Sequence, residues 1–252
     1  MAITTLPLGV TAVMLPDLDF DEQIALCNEV GVTHYSIRPR IIPDEQRDKP
    51  WGNWGNHKFD LTPKRLLAEA KQIRRQLDDA GLTPHGTVPG ASVADSDDDL
   101  KMHFEGAATV GAGCVRVAPQ RYPEGAFDYQ KELAKVVDQY GRVIGLAKSY
   151  KIKVVIETHC YSFATSPALA LNICKNFTPA EIGTIFDIAN FSIEGNLVPN
   201  LAVAVLGALC HFAFEATVTP SAAQLGAVVL LGLGPVGAAF FVWDYGVKRG
   251  RI

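Results

Sequence analysis

Six short apolar runs, each separated from the next by an amphipathic stretch or a polar loop, limit what this chain can fold into more than any other feature. The runs are residues 8–15 (LGVTAVML), 32–37, 82–88, 114–118, 152–156 (IKVVI) and 182–186 (IGTIF). Apolar, β-branched runs of this length between helical stretches are the pattern of a parallel sheet covered by helices. The helical stretches carry their own punctuation. Thr62 followed by Pro63 supplies an N-cap and a first-turn proline, and Leu66, Ala70, Ile73 and Leu77 then recur at helical spacing until Gly81. A second stripe runs through Leu133, Val136, Val137, Tyr140, Ile144 and Ala147. Further helices are expected over 20–30, over 98–110 with Leu100, Phe104, Ala107 and Ala108 on one side, and from Ser166-Pro167 to about residue 176. Between the second run and Thr62 lies a long polar loop, 39–60, rich in Pro, Trp and Asn.

An α/β fold of the (β/α) barrel type is expected from this alternation. An open doubly wound sheet would alternate in the same way. However, no GxGxxG follows the first run and no GxxxxGK[ST] occurs anywhere, so the nucleotide-binding versions of that sheet lose their main support. At 252 residues and 48% hydrophobic, the chain is long enough for one barrel with a large core. A formal net charge of −4 without a basic run argues against a nucleic-acid partner. Five scattered cysteines without CxxC spacing fit a reducing compartment, and the N-terminus lacks a signal-peptide pattern, so a cytoplasmic, unsecreted barrel is expected.

Barrels present their chemistry where strands run out at their C-terminal ends. Glu157 ends run five, with His159 two residues on. Asp187 follows run six, then Asn190. Run three carries His85, run two leads to Arg38, and run four carries Arg116. A carboxylate closing an apolar strand is costly unless it is paired or bound to metal. Two of them on adjacent strands favour a cation between them, and oxygen ligands with a possible imidazole suit Mn2+, Mg2+ or Co2+. Other roles stay open at this point. Glu157 could simply partner Arg116, Asp187 could cap the next helix, and Arg38 could be an interior ion-pair former. The Trp51/Trp54 loop could be a lid or a packed crossover, and His103 is expected on a helix surface.

The strings VVIETHC-x5-SP (154–167) and GTIFDIANFSIEGN (183–196) resemble the fifth- and sixth-strand segments of the sugar phosphate isomerase/epimerase family. These are the xylose-isomerase-like barrels, related in fold to endonuclease IV, and the likeness covers residues 6–196. It implies a divalent-metal enzyme that isomerises or epimerises a small sugar or sugar phosphate. Glu157 and Asp187 would be two of its metal ligands and Glu157 its catalytic carboxylate, with His85, His159, Asn190 and Arg116 around the substrate. The family's remaining ligands are a strand-seven His in an HxKD-like string and a last-strand Glu. Neither string follows Asn196, and His211, 24 residues after Asp187, lacks the Lys-Asp context. Impaired activity is therefore expected.

Composition changes abruptly after residue 196. Between Leu197 and Trp243 the only Asp, Glu, Lys or Arg is Glu215. Two apolar segments, 197–214 and 222–243, are each long enough to cross a ~30 Å hydrocarbon layer, and Lys248, Arg249 and Arg251 suit a cytoplasmic end. The string GLGPVGAAFFVWDYGVKRG (232–250) is similar to a segment of the drug/metabolite transporter superfamily, in its aromatic amino acid exporter branch. The expected organisation is a barrel portion, 1–196, followed by an apolar helical hairpin, 197–252. That makes membrane association through 197–247 possible, and a non-catalytic fusion product the alternative to an enzyme.

Overall fold

A computed structural model describes residues 7–185 together with Asp187 and Asn190, all within one compact unit, Leu6–Asn196. Six strands form one sheet: β1 (Gly9–Thr11), β2 (His34–Ile37), β3 (Thr83–Thr87), β4 (Cys114–Arg116), β5 (Lys153–Glu157) and β6 (Ile182–Ile185). Each pairs in parallel with the one before it, in the order β1-β2-β3-β4-β5-β6. A doubly wound sheet would reverse direction at a switch point. The order here never reverses, which decides for the single-wound arrangement of an α/β barrel.

Local chemistry sets where the helices begin and end. The first, α1 (Phe20–Val30), opens with a reciprocal capping box between Asp19 and Glu22 and closes on Gly31 at φ 74°. A short turn of helix, α2 (Asp44–Arg47), lies in the 39–60 loop, and α3 (Pro63–Asp79) starts at the Thr62 cap with Pro63 in its first turn. Its buried residues are the four read from the sequence, Leu66, Ala70, Ile73 and Leu77. A cap stabilises by about 1 kcal/mol, and each buried Leu or Ile by about 1.5–3 kcal/mol, so the stripe fixes the helix and the cap fixes its start. The acidic first turn of α4 (Asp97–Val110), with Asp97, Asp98 and Asp99 behind the Ser96 cap, complements the helix dipole. Next come α5 (Tyr129–Lys148), capped by Asp128, and α6 (Pro167–Cys174), capped by Ser166.

Side chains alternate along the strands. Tyr35 and Ile37 on β2, Val115 on β4, and Val154 and Ile156 on β5 are buried in the common core with the helices. Their neighbours Ser36, Cys114, Arg116, Val155 and Glu157 point the other way, into the cavity that the strands surround. Two buried hydrogen bonds tie the helix layer to the sheet. Tyr140 of α5 donates from its hydroxyl to the Val117 carbonyl at 2.9 Å. Tyr35 donates to Gln23 Oε1, and the Gln23 amide donates in turn to the carbonyls of Leu15 (3.2 Å) and Leu18 (2.9 Å).

Two sequence expectations are corrected. Run 8–15 is not one strand: β1 stops at Thr11 and Ala12–Met14 is a 3-10 turn, which swings Met14 outward and keeps Ala12 and Val13 buried. His103 does not sit on a helix surface. It is 8% exposed among the buried residues of α4, and burial pushes its imidazole pKa down. None of the described helices is long and apolar enough to cross a membrane. Phe186, the change of composition after residue 196, His211 and the apolar segments 197–214 and 222–243 of the expected hairpin lie outside the described residues.

Candidate functional site

The strand ends enclose a cavity of about 800 Å3, within the range of small-molecule sites. All seven strand-end residues singled out from the sequence line it: Arg38, His85, Arg116, Glu157, His159, Asp187 and Asn190. Parallel pairing explains the gathering. Arg116 is in register with Val155 and Glu157 with Ile185, so Arg116, Glu157 and Asp187 follow one another around the same ends of β4, β5 and β6.

Glu157 is held by a cation. The Nε of Arg116 lies 2.8 Å from its Oε2, with the two side chains 16% and 21% exposed. The contact is ionic rather than a well-aligned hydrogen bond, because the buried Nε–H has no acceptor along its own direction. Arg116 is anchored separately by Nη1, which donates to the Pro89 carbonyl at 3.2 Å. Asp187 is engaged through both oxygens. Oδ1 accepts from the Asn190 backbone N–H (3.2 Å) and Oδ2 from the Asn190 side-chain amide (2.9 Å). An Asp accepting from the N–H three residues on has the local geometry of a cap, and Asp187 also lines the cavity. His159 is exposed, and its ring faces Cys160. His85 is exposed in the cavity and meets His34 edge-on at 6.1 Å between ring centres.

These donors do not make a metal centre on their own. Among the described residues no group of three or more His, Cys, Asp or Glu side chains could hold a metal ion. One of the two carboxylates is already neutralised by Arg116 and the other is occupied by Asn190.

Arg40 and Thr87 also line the cavity and were not anticipated. The signal for Arg40 was the string Arg38-Pro39-Arg40 at the end of β2: in an extended segment the first and third residues share a side. Arg38 donates from Nη1 to the Asn53 carbonyl (2.7 Å) and packs against the Trp54 ring, 4.8 Å from its centre. Arg40 donates from Nη1 to the Trp54 carbonyl (3.1 Å). Burial and then the neighbouring Arg40 and Arg116 lower the Arg38 guanidinium to about 10. The 39–60 loop is pinned over this corner. His57 Nε2 bonds the Asn53 carbonyl, and the Asn56 amide donates to the carbonyls of Arg47 and Lys49. Yet Trp54 remains 76% exposed.

A family profile described as xylose isomerase-like TIM barrel matches residues 44–243, well over half of the chain. The chain belongs to the xylose isomerase-like TIM barrel family. Solved structures agree at the level of fold. A D-tagatose 3-epimerase-like protein superposes with a TM-score of 0.52 at 18% identity, covering 78% of this chain and 71% of that one. The 3-keto-D-glucoside 4-epimerase YcjR from E. coli gives 0.54 at 15% identity, covering 79% and 75%. A separate similarity joins 52 residues, 21% of this xylose isomerase-like chain, to the aromatic amino acid exporter YddG of Ancylobacter novellus at 56% identity. The chain spans only 18% of that exporter's length. The family match itself runs past residue 196 to 243.

Proposed function

We propose that this barrel is a sugar isomerase/epimerase scaffold whose cavity takes a small sugar or sugar phosphate, with Glu157 as the carboxylate that carries the proton. The observation behind this reading is the convergence of Glu157, Asp187, His85, His159, Asn190 and Arg116 on one cavity at the strand ends. When isomerisation or epimerisation runs by proton transfer, a base takes a proton from a carbon next to a carbonyl and a proton is returned to that carbon or its neighbour. Glu157 is positioned for that by Arg116, whose Nε lies 2.8 Å from its Oε2. Asn190, His85 and His159 offer hydrogen bonds to hydroxyl groups. Glu157 and Asp187 are also the two carboxylates a Mn2+, Mg2+ or Co2+ ion would use. No HxKD-like string and no strand-ending Glu follow Asn196 in the sequence, so weak metal binding and low turnover are expected. The test is Mn2+ binding by calorimetry and epimerisation of ketose and ketose-phosphate panels by the full chain, alongside Glu157→Gln. Turnover that survives Glu157→Gln would remove Glu157 from the role.

The 52-residue exporter similarity favours a second reading, a non-catalytic product whose apolar tail, 197–252, attaches the barrel to a membrane. Carbonate extraction of membranes from expressing cells separates the two: full-length protein released without detergent would defeat the attachment.

A further inference from the structure

We propose that the Arg38–Arg40 end of the cavity is an oxyanion subsite beneath Trp54, so that the ligand is an acid, a sugar phosphate or a sugar carboxylate, and not a neutral sugar. The proposal rests on reading the cavity as a small-sugar site. Three guanidinium groups, Arg38, Arg40 and Arg116, line the cavity against two carboxylates, Glu157 and Asp187. Arg116 is matched by Glu157. Arg38 and Arg40 form no ion pair among the described residues; each donates to a neutral backbone carbonyl, and Arg38 also stacks on the Trp54 ring. Asp60 lies close enough to Arg40 to be felt, but it pairs with Arg47 and does not line the cavity.

One buried donor at this corner, Arg40 Nη2, has no hydrogen-bond partner, and neither has Oδ1 of the nearby Asp60. Donors left unpaired in a buried site cost stability unless a ligand or water takes them, and partly buried like charges add repulsion. One oxyanion would relieve both. It accepts several bonds at once, matches the planar fork of a guanidinium, and its bonds to charged donors are the strong ones. The anion would be repelled by Glu157, at the end of β5, and by Asp187, just past the end of β6, strands that are not next to β2 in the sheet. That orients the ligand, with its acid group under Trp54 and its reacting carbons toward Glu157. The exposed indole at the mouth supplies an apolar face for the sugar ring and an optical reporter.

The experiment titrates the full chain with D-fructose, D-fructose 6-phosphate, D-gluconate and inorganic phosphate, following tryptophan fluorescence and calorimetry. Trp54→Phe identifies the reporter. The two sugar acids should bind at least about tenfold more tightly than fructose, the loss expected when charge-assisted bonds are missing. Arg40→Gln should erase that advantage, and Arg40→Lys should restore it only in part. Added salt should weaken only the acids, a readout that stands even if Arg40→Gln fails to fold. Tighter binding of the phosphate ester or of gluconate tells which oxyanion fits. Equal affinity for fructose and its phosphate, insensitive to salt, would overturn the subsite and leave the sugar reading standing. Phosphate binding that depends on Arg40 and gains nothing from any sugar would support the subsite and overturn the sugar reading. Silence toward all four would overturn both.

Discussion

The Nε of Arg116 stands 2.8 Å from Oε2 of Glu157, across the ends of two neighbouring strands. Both side chains are mostly shielded, so the pair falls between an exposed bridge and a buried one. Glu157→Gln should destabilise the protein by about 1–3 kcal/mol, above the 0–1 of surface pairs and below the 3–5 of buried ones. Much of that loss is the stranded guanidinium. The double variant E157Q/R116M should therefore unfold at a higher urea concentration than E157Q alone.

Tyr35→Phe removes the hydroxyl that serves Gln23 Oε1 in a fully enclosed site. No water can take its place without moving the core. A loss of about 1–3 kcal/mol is expected, the cost of leaving a buried acceptor unpaired. Urea denaturation reads it, and an unchanged midpoint would mean that Gln23 finds another donor.

Stability should depend on pH through His103. Burial pushes its pKa below the ordinary 6.5, with the nearby Asp95 and Asp99 opposing less strongly. Above pH 6.5 the ring is neutral in both folded and unfolded chains, and it contributes no slope. As pH falls below 6.5 the unfolded chain takes up a proton that the folded one resists, so stability declines until the lowered folded pKa is reached. His57, also lowered by burial, acts in the same direction. Thermal melts between pH 7 and pH 5 should flatten in His103→Gln. Carboxylates such as Asp19 and Glu22, whose pKa values are lowered by hydrogen bonding, lose their contribution only at more acidic pH.

Two glycine-to-alanine changes should have opposite signs. Gly111 ends α4 at φ 83°, where a Cβ is strained, so Gly111→Ala should cost about 1–2 kcal/mol. Its added methyl would also meet the Arg74 guanidinium, which is free to swing away because it is the far end of a flexible side chain. Gly145 lies inside α5 with open space around it, and Gly145→Ala should stabilise by roughly 0.5–1 kcal/mol. Differential scanning calorimetry of the two variants checks both.

Much of the sheet was legible because its signals are local. A run such as IKVVI announces a strand, and Leu66, Ala70, Ile73 and Leu77 announce a buried helix face, without reference to anything distant in sequence. The strand-end residues were legible by the same logic, since a polar group that closes an apolar run has only the mouth to occupy. What was missed depends on long-range return of the chain. Nothing near Arg40 says that the 39–60 loop folds back to place the Trp54 carbonyl against it. His103 is a different case: three residues after Leu100 and four before Ala107, it lies on the face the helix buries, and its polarity masked that local signal. Run 8–15 failed for a different reason: its residues suit a strand, but the Gln23 amide takes the Leu15 and Leu18 carbonyls and turns the chain away from the sheet.

The unreversed strand order also bears on how the molecule is made. Every strand pairs with the one synthesised just before it, so no described strand has to wait for a distant partner. Each closure spans a single crossover, which keeps its entropic cost small and close to that of the last. As the chain leaves the ribosome, β2 can dock on β1, β3 on β2, and so on, with the growing edge always the most recent one. Assembly is then vectorial, and a pause in synthesis leaves a shorter sheet with the same pairing rather than a tangle of mismatched strands.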